Sequence, residues 1–278
     1  MAGARGAARV WYWGSGHVIL DEIVEHTRQE VAAAKRQRPL SSLIDRLAEA
    51  PPHRDYASAL SGDGIRIIAE IKRASPSKGI LRTAADPSVL ATCFAAAGAS
   101  AISVLTDRRF FGGSLEDLEQ VSRVSPVPTL RKDFVIDPYQ VYEAALAGAS
   151  SALLIVGILD DAELTDLLQL QRELGMEPQV EVHDEREVER ALAVGARILG
   201  INNRDLRSFR VDLGTSERLR PLIPSDCIVV SESGIHTRSD VERLAAAGIR
   251  VIHVGEALMT SADPGDKIRE LLGQEHRR

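Results

Sequence analysis

The sequence predicts a closed (βα)8 barrel preceded by helices. Three observations carry that reading: four recurring helix-glycine-strand segments, a repeat length that fits two βα units, and eight short apolar runs separated by amphipathic stretches. The recurring segments are AAAGASAISVL from Ala95, ALAGASSALLIV from Ala145, ALAVGARILGI from Ala191 and LAAAGIRVIHV from Leu244. Each reads as the end of an Ala-rich helix, a glycine suited to a left-handed helix terminus, and an aliphatic run suited to a buried parallel strand. The glycines, Gly98, Gly148, Gly195 and Gly248, recur every 47 to 53 residues. That period is long enough for two βα units, so a second strand is expected between successive copies.

Those intervening strands are Ile65–Ile71, Val127–Leu130, Gln179–Val182 and Ile228–Ser231. With Ala101–Leu105, Ala152–Ile155, Ile198–Ile201 and Val251–Val254 they make eight. Helical periodicity fills the intervals at Leu115–Val124, Pro138–Ala147, Asp161–Leu174, Glu185–Val194 and Ser239–Ala247, and Ser239 with Glu242 predicts a capping box for the last. Eight strands over about 210 residues suit a closed barrel better than an open sheet, and no G-x-G-x-x-G dinucleotide turn follows the first strand. Residues 1–60 read as an N-terminal extension with capping helices, Leu20 to Ala34 and Ser41 to Ala50, ended by Pro51-Pro52; residues 61–278 read as the barrel. The helices are expected to cap the barrel or border its mouth, with Met1 to Gly16 a loose extension.

Composition narrows the function. With 34 Lys and Arg against 40 Asp and Glu, the net charge of −6 offers no broad attraction to phosphate polymers or anionic lipid, so no nucleic acid partner and no membrane partner are expected. No apolar run reaches the roughly 18 residues of a spanning helix, and Val10-Trp11-Tyr12-Trp13 is cut short by Gly14-Ser15-Gly16, which argues against a signal peptide; a cytoplasmic location is expected. The cysteines, Cys93 and Cys227, lack the spacing of a disulfide framework or zinc knuckle and are expected reduced and buried. Walker, H-E-x-x-H and G-x-S-x-G patterns are missing, and the histidines are scattered, with His183 and His253 read as packing or surface residues. No cofactor and no metal are expected, and the chain is expected to be a monomer.

Chemistry in this architecture sits at the carboxyl ends of the strands. The first strand alternates Ile67, Ala69 and Ile71 with Ile68, Glu70 and Lys72, so Glu70 and Lys72 share a face; a structural ion pair is the alternative to a functional one. The third strand ends in Leu130-Arg131-Lys132-Asp133-Phe134, the fifth holds Glu181, and the sixth runs into Asn202-Asn203-Arg204-Asp205. Converging lysines and glutamates suit proton transfer, because burial and neighbours can bring Lys down and Glu up toward neutral pKa. The seventh strand ends Ser231-Glu232-Ser233-Gly234 and the eighth His253-Val254-Gly255-Glu256, small residues that let backbone N–H groups approach an anion. If the Glu256 amide serves a phosphate, its carboxylate must turn away.

These residues resemble the indole-3-glycerol phosphate synthase family of tryptophan biosynthesis. The resemblance runs from about Ile19 to Leu272 and includes AEIKRASPSK (69–78), TDRRFFGGS (106–114), LRKDF (130–134), VEVH (180–183), INNRDL (201–206) and SESGI (231–235). It implies a carboxy-lyase that closes the ring of 1-(2-carboxyphenylamino)-1-deoxy-D-ribulose 5-phosphate with loss of carbon dioxide and water. It further implies Lys132 as general acid to the ribulose carbonyl, Glu181 in the dehydration, Lys72 oriented by Glu70 on the substrate's anionic groups, and Asn202 and Ser233 positioning the substrate. Substrate and phosphate binding would fall to Ser75, Arg204, Glu232, Gly234, Gly255 and Glu256, with Phe111 and Phe134 lining the aromatic pocket.

Gln179 departs from the family pattern, which has an aliphatic side chain there; its amide is expected to hydrogen-bond Glu181 and lower its pKa. The N-terminal segment before about Val18 has no recognised counterpart. A phosphoribosylanthranilate isomerase or a tryptophan synthase α-subunit would share the phosphate loops but lack the Glu-x-Lys and Arg-Lys-Asp-Phe sets. A non-catalytic barrel that binds a phosphorylated metabolite is the remaining alternative.

Overall fold

The computed structural model describes residues 19–76, 79–82, 86–205, 208 and 210–274. Eight parallel strands close into a barrel: β1 (Arg66–Ile71), β2 (Ala101–Leu105), β3 (Thr129–Lys132), β4 (Ser151–Ile155), β5 (Gln179–Val182), β6 (Ile198–Asn202), β7 (Ile228–Glu232) and β8 (Val251–Val254). Closure is made where β1 pairs with both neighbours, Ile68 opposite Ala101 of β2 and opposite His253 of β8. The strands are buried on both faces, which is why they read as near-continuous aliphatic runs.

Period-two alternation divides each strand between two cores. Ile67, Ala69 and Ile71 face the outer helices, while Ile68 joins Ala101, Leu130, Leu153, Ile198, Val230 and Val251 in the lumen. Glu70 and Lys72 therefore point inward, above an apolar floor. A barrel interior of this kind is a packed core rather than a pore.

Sequence expectation and structure agree on the main helices within a residue or so: Leu115–Val124, Pro138–Leu146, Asp161–Glu173, Glu185–Ala193 and Arg238–Ala246. Ser114, Asp137, Asp160, Asp184 and Thr237 cap their first turns through side-chain oxygens. All four repeat glycines have positive φ, between 79° and 101°, as a left-handed helix terminus requires.

Several local expectations are corrected. Strand β3 begins at Thr129, two residues later than Val127, because Pro128 has no N–H to donate to the ladder, and it runs on through Arg131 and Lys132, which pair with Val104 and Leu105 of β2. The capping box uses Thr237 and Asp240 instead of Ser239 and Glu242, since the helix starts at Arg238. The stretch 41–50 divides into a helix Leu40–Ile44 and a 3₁₀ turn Leu47–Glu49; only Leu43 is buried there, too little packing to hold a longer regular helix. Cys93 and Cys227 are half-buried rather than buried.

Ahead of the barrel, α1 (Ile19–Gln37) brings Ile19, Leu20 and Ile23 to the mouth, while a short helix, Tyr56–Leu60, packs Tyr56 and Leu60 into the lumen core. The extension Met1 to Gly16, together with Ser77, Lys78 and Leu206 of the quoted motifs, lies outside the described residues. Among the described residues no helix is long and apolar enough to cross a membrane.

Candidate active site

A pocket with about 1170 Å³ of empty volume, mouth included, opens at the carboxyl end of the barrel. Every residue selected from sequence lines it: Glu70, Lys72, Ser75, Phe111, Lys132, Phe134, Glu181, Asn202, Arg204, Glu232, Ser233, Gly234, Gly255 and Glu256. Lys132 stands at the centre. Its Nζ is 2.8 Å from Glu181 Oε2 and 3.5 Å from Glu232 Oε2. On the neighbouring wall, Lys72 Nζ lies 2.5 Å from Glu70 Oε1.

The expectation that burial and neighbours bring such groups toward neutral pKa does not hold for Lys132, Glu181 or Glu70. Burial would lower the Lys132 ammonium, but Glu181, Glu232 and Glu70 hold it well above the usual lysine range. Burial would raise the Glu181 carboxyl, yet Lys132, His183 and Asn202 hold it well below the carboxylate range, and Lys72 and His253 do the same for Glu70. Opposite charges at contact distance outweigh desolvation, so Lys132, Glu181 and Glu70 are held in their charged forms.

Asn202 fixes the orientation of Glu181. Its Nδ2 donates to Glu181 Oε1 at 3.0 Å, while its Oδ1 accepts from Ser233 Oγ at 2.9 Å and from the Arg204 backbone N–H at 3.0 Å. Ser233 has φ of 67°, a left-handed conformation rare outside glycine, and it is followed by Gly234 at 81°. A Cβ on Gly255 would come within 2.1 Å of Glu70 Oε1, so the glycine there makes room for the carboxylate as well as shaping the rim. The Glu256 carboxylate reaches toward Arg204, with 3.7 Å between Oε2 and Nη2. Phe111 and Phe134 stand with ring centroids 6.1 Å apart, forming an apolar wall.

Three features escaped sequence reasoning. His253 is buried in the lumen, 3.4 Å from Glu70 Oε2 and 3.5 Å from Glu232 Oε2. His183 lies between Glu181, at 3.3 Å, and Glu187, at 3.0 Å; burial lowers its pKa, but these two carboxylates push it up to about 10. The inward period-two positions of β5 and β8 could have signalled both. The third is a buried cluster behind β3, in which Arg131 donates to Asp133 Oδ2 at 2.9 Å and to the Gln140 carbonyl at 2.7 Å. Asp133 in turn accepts from the Phe134 N–H at 2.9 Å, which ties the aromatic wall to β3.

Gln179 corrects its expectation. Its Nε2 donates to Glu232 Oε1 at 2.8 Å and its Oε1 accepts from Tyr56 Oη at 2.7 Å, so it supports Glu232 rather than Glu181. Glu232 itself turns into the lumen beside Lys132, away from the glycine loops.

A model of a protein family described as indole-3-glycerol phosphate synthase matches residues 20–271. Among similar curated proteins, the indole-3-glycerol phosphate synthase of Dehalococcoides mccartyi strain CBDB1 is 50% identical over 259 residues, covering 92% of this chain and all of its own. That of Roseiflexus sp. strain RS-1 is 50% identical over 92% of this chain and 98% of its own, and that of Streptomyces griseus 45% identical over 91% and 94%. Of solved structures, 3-hexulose-6-phosphate synthase from Salmonella typhimurium superposes with a TM-score of 0.61 at 16% identity, covering 75% of this chain and 97% of that one, a likeness of fold alone.

Proposed function

The chain belongs to the indole-3-glycerol phosphate synthase family, a carboxy-lyase family of tryptophan biosynthesis acting on a phosphorylated small molecule, and on that premise we propose how its residues divide the work. The single observation that carries the assignment is Lys132 held between Glu181 and Glu232 at the mouth, with Lys72 and Glu70 on the adjoining wall.

Lys132 is the general acid. As the ring carbon bearing the carboxylate attacks the ribulose carbonyl, a C–C bond forms and the carbonyl electron pair moves onto oxygen. That alkoxide is a far stronger base than the carboxylates around Lys132, so it takes the ammonium proton despite the raised lysine pKa, and general acid catalysis of this kind contributes about 10²–10⁴-fold. Carbon dioxide then leaves without its bonding pair, which restores the aromatic ring. In the dehydration the nitrogen lone pair expels the new hydroxyl, which leaves as water with a proton from the Lys72 ammonium once decarboxylation has removed that lysine's carboxylate partner, and Glu181 accepts a proton from the methylene carbon beside the nitrogen. Asn202 keeps Glu181 aimed at that carbon.

Lys72, oriented by Glu70, binds the substrate's carboxylate, and Phe111 and Phe134 pack on its ring. Ser75, Arg204, Ser233, Gly234, Gly255 and the Glu256 amide hold the phosphate, while Glu232 works inside the lumen on Lys132. Anchoring both ends of a flexible molecule fixes the conformation in which ring and carbonyl meet. We place the protein in the cytoplasm as a monomer, with no nucleic acid or membrane partner and no cofactor.

The test is to follow indole fluorescence after adding the carboxyphenylamino-deoxyribulose phosphate to purified protein. Turnover that persists in EDTA is expected; its absence under all conditions would sink the assignment.

A further inference from the structure

Glu232 is nearly fully buried in the lumen, where a carboxylate oxygen without a donor is costly. Its Oε2 faces Lys132 and His253, each at 3.5 Å. Its Oε1 is served by Gln179 Nε2 at 2.8 Å. The amide cannot be reversed: Glu232 accepts only, so Gln179 must present its NH₂, which leaves its oxygen to receive the Tyr56 hydroxyl at 2.7 Å. Tyr56 is fully enclosed, and burial together with the Glu232 charge keeps its hydroxyl protonated and therefore able to donate.

Space is reserved for the arrangement. A Cβ at Gly200, on the inward face of β6, would stand 2.1 Å from Glu232 Oε1 and 3.2 Å from Gln179 Nε2, so this contact exists only because the position is glycine.

We infer that Tyr56 and Gln179 form a positioning relay, running from the floor of the barrel to the site, that pins one oxygen of Glu232 and so presents the other to Lys132. Neither residue touches substrate; both act through Glu232. The inference rests on the proposed role of Lys132 as proton donor and adds the device that sets its surroundings. The charged and titratable groups facing Glu232 are Lys132 from β3, His253 from β8 and Tyr56 from the floor helix, with Glu181 sharing Lys132 and Glu70 sharing His253.

Gln179→Met keeps the volume and removes the donor. Expected are a kcat about tenfold lower and a KM changed by less than about twofold, because the unpinned carboxylate no longer holds its other oxygen toward Lys132 while substrate contacts are untouched. Tyr56→Phe should lower kcat about threefold, and the double variant should be no slower than Gln179→Met, the non-additivity expected of two links in one chain. Additive losses, a kcat left intact in Gln179→Met, or a loss confined to KM would overturn the relay. Should Gln179→Met fail to fold, Tyr56→Phe carries the test through its own fall in kcat at unchanged KM. A wild-type protein without turnover would overturn the functional reading and the relay with it, whereas active wild type with unaffected variants overturns the relay alone.

Discussion

Lys132 and Glu181, brought together from strands 49 positions apart in sequence, stand 2.8 Å apart in the lumen and hold each other ionised. The pair sets the resting state of the site: a buried ammonium and a buried carboxylate that keep each other charged. On the proposed mechanism, a substrate oxygen that draws on Lys132 does so in competition with Glu181 and Glu232.

Replacing that lysine tests the assignment directly. Lys132→Met should reduce kcat by at least about 10²-fold with a smaller change in KM, because the interaction is made chiefly to the developing alkoxide. Steady-state indole fluorescence reads both constants, and an unchanged kcat would remove Lys132 from the mechanism.

Gly255→Ala forces a methyl group into Glu70, where 2.1 Å now separates the carboxylate oxygen from an ideal Cβ. Glu70 must swing away and leave Lys72. Overpacking of this kind costs about 1–3 kcal/mol, so thermal unfolding should drop by several degrees and turnover should fall by at least about tenfold. A variant with wild-type melting and activity would show that the rim tolerates the side chain.

Asp107 predicts a pH dependence of stability. Burial, with the nearby Asp133 and Glu30 charges, raises its pKa to about 6 against the opposing N–H bonds of Phe110 and Phe111. A carboxyl with a folded pKa above its unfolded 3.8 contributes stability in full below that value and loses it as pH rises through about 6. Asp107→Asn keeps an oxygen for the two amides without the charge. The variant should therefore be the more stable at pH 7, by on the order of 2 kcal/mol, and the advantage should shrink as pH falls from 6 to 4. Melting curves across that range decide it; a constant difference would contradict the assignment.

His183 runs the other way at alkaline pH. Its pKa, raised from 6.5 to about 10 by Glu181 and Glu187 against burial, means that its contribution is complete below 6.5 and disappears as pH rises through about 10. The excess stability of wild type over His183→Gln should fade over that interval in chemical unfolding at stepped pH.

Much of this was legible in the chain because it depends on local periodicity. The helix-glycine-strand repeat marks the βα units, alternation in β1 assigns Glu70 and Lys72 to one face, and the polar residues at strand ends point to the mouth; the fourteen selected positions all reach one pocket. Quantities that depend on neighbours distant in sequence were not legible. Nothing near Lys132 in the chain reveals that Glu181 and Glu232 flank it, so the direction of its pKa could not be read from burial alone, and Gln179 found its partner in Glu232, two strands round the barrel, instead of two residues away. His253 looks like a packing residue until closure of β1 against β8 sets it beside Glu70. Sequence by itself determined the architecture and which residues are present at the rim, since both follow from patterns a few residues long. Tertiary structure alone decided which charges touch, because Coulomb and hydrogen-bond energies are set by ångström distances that exist only once the barrel has closed.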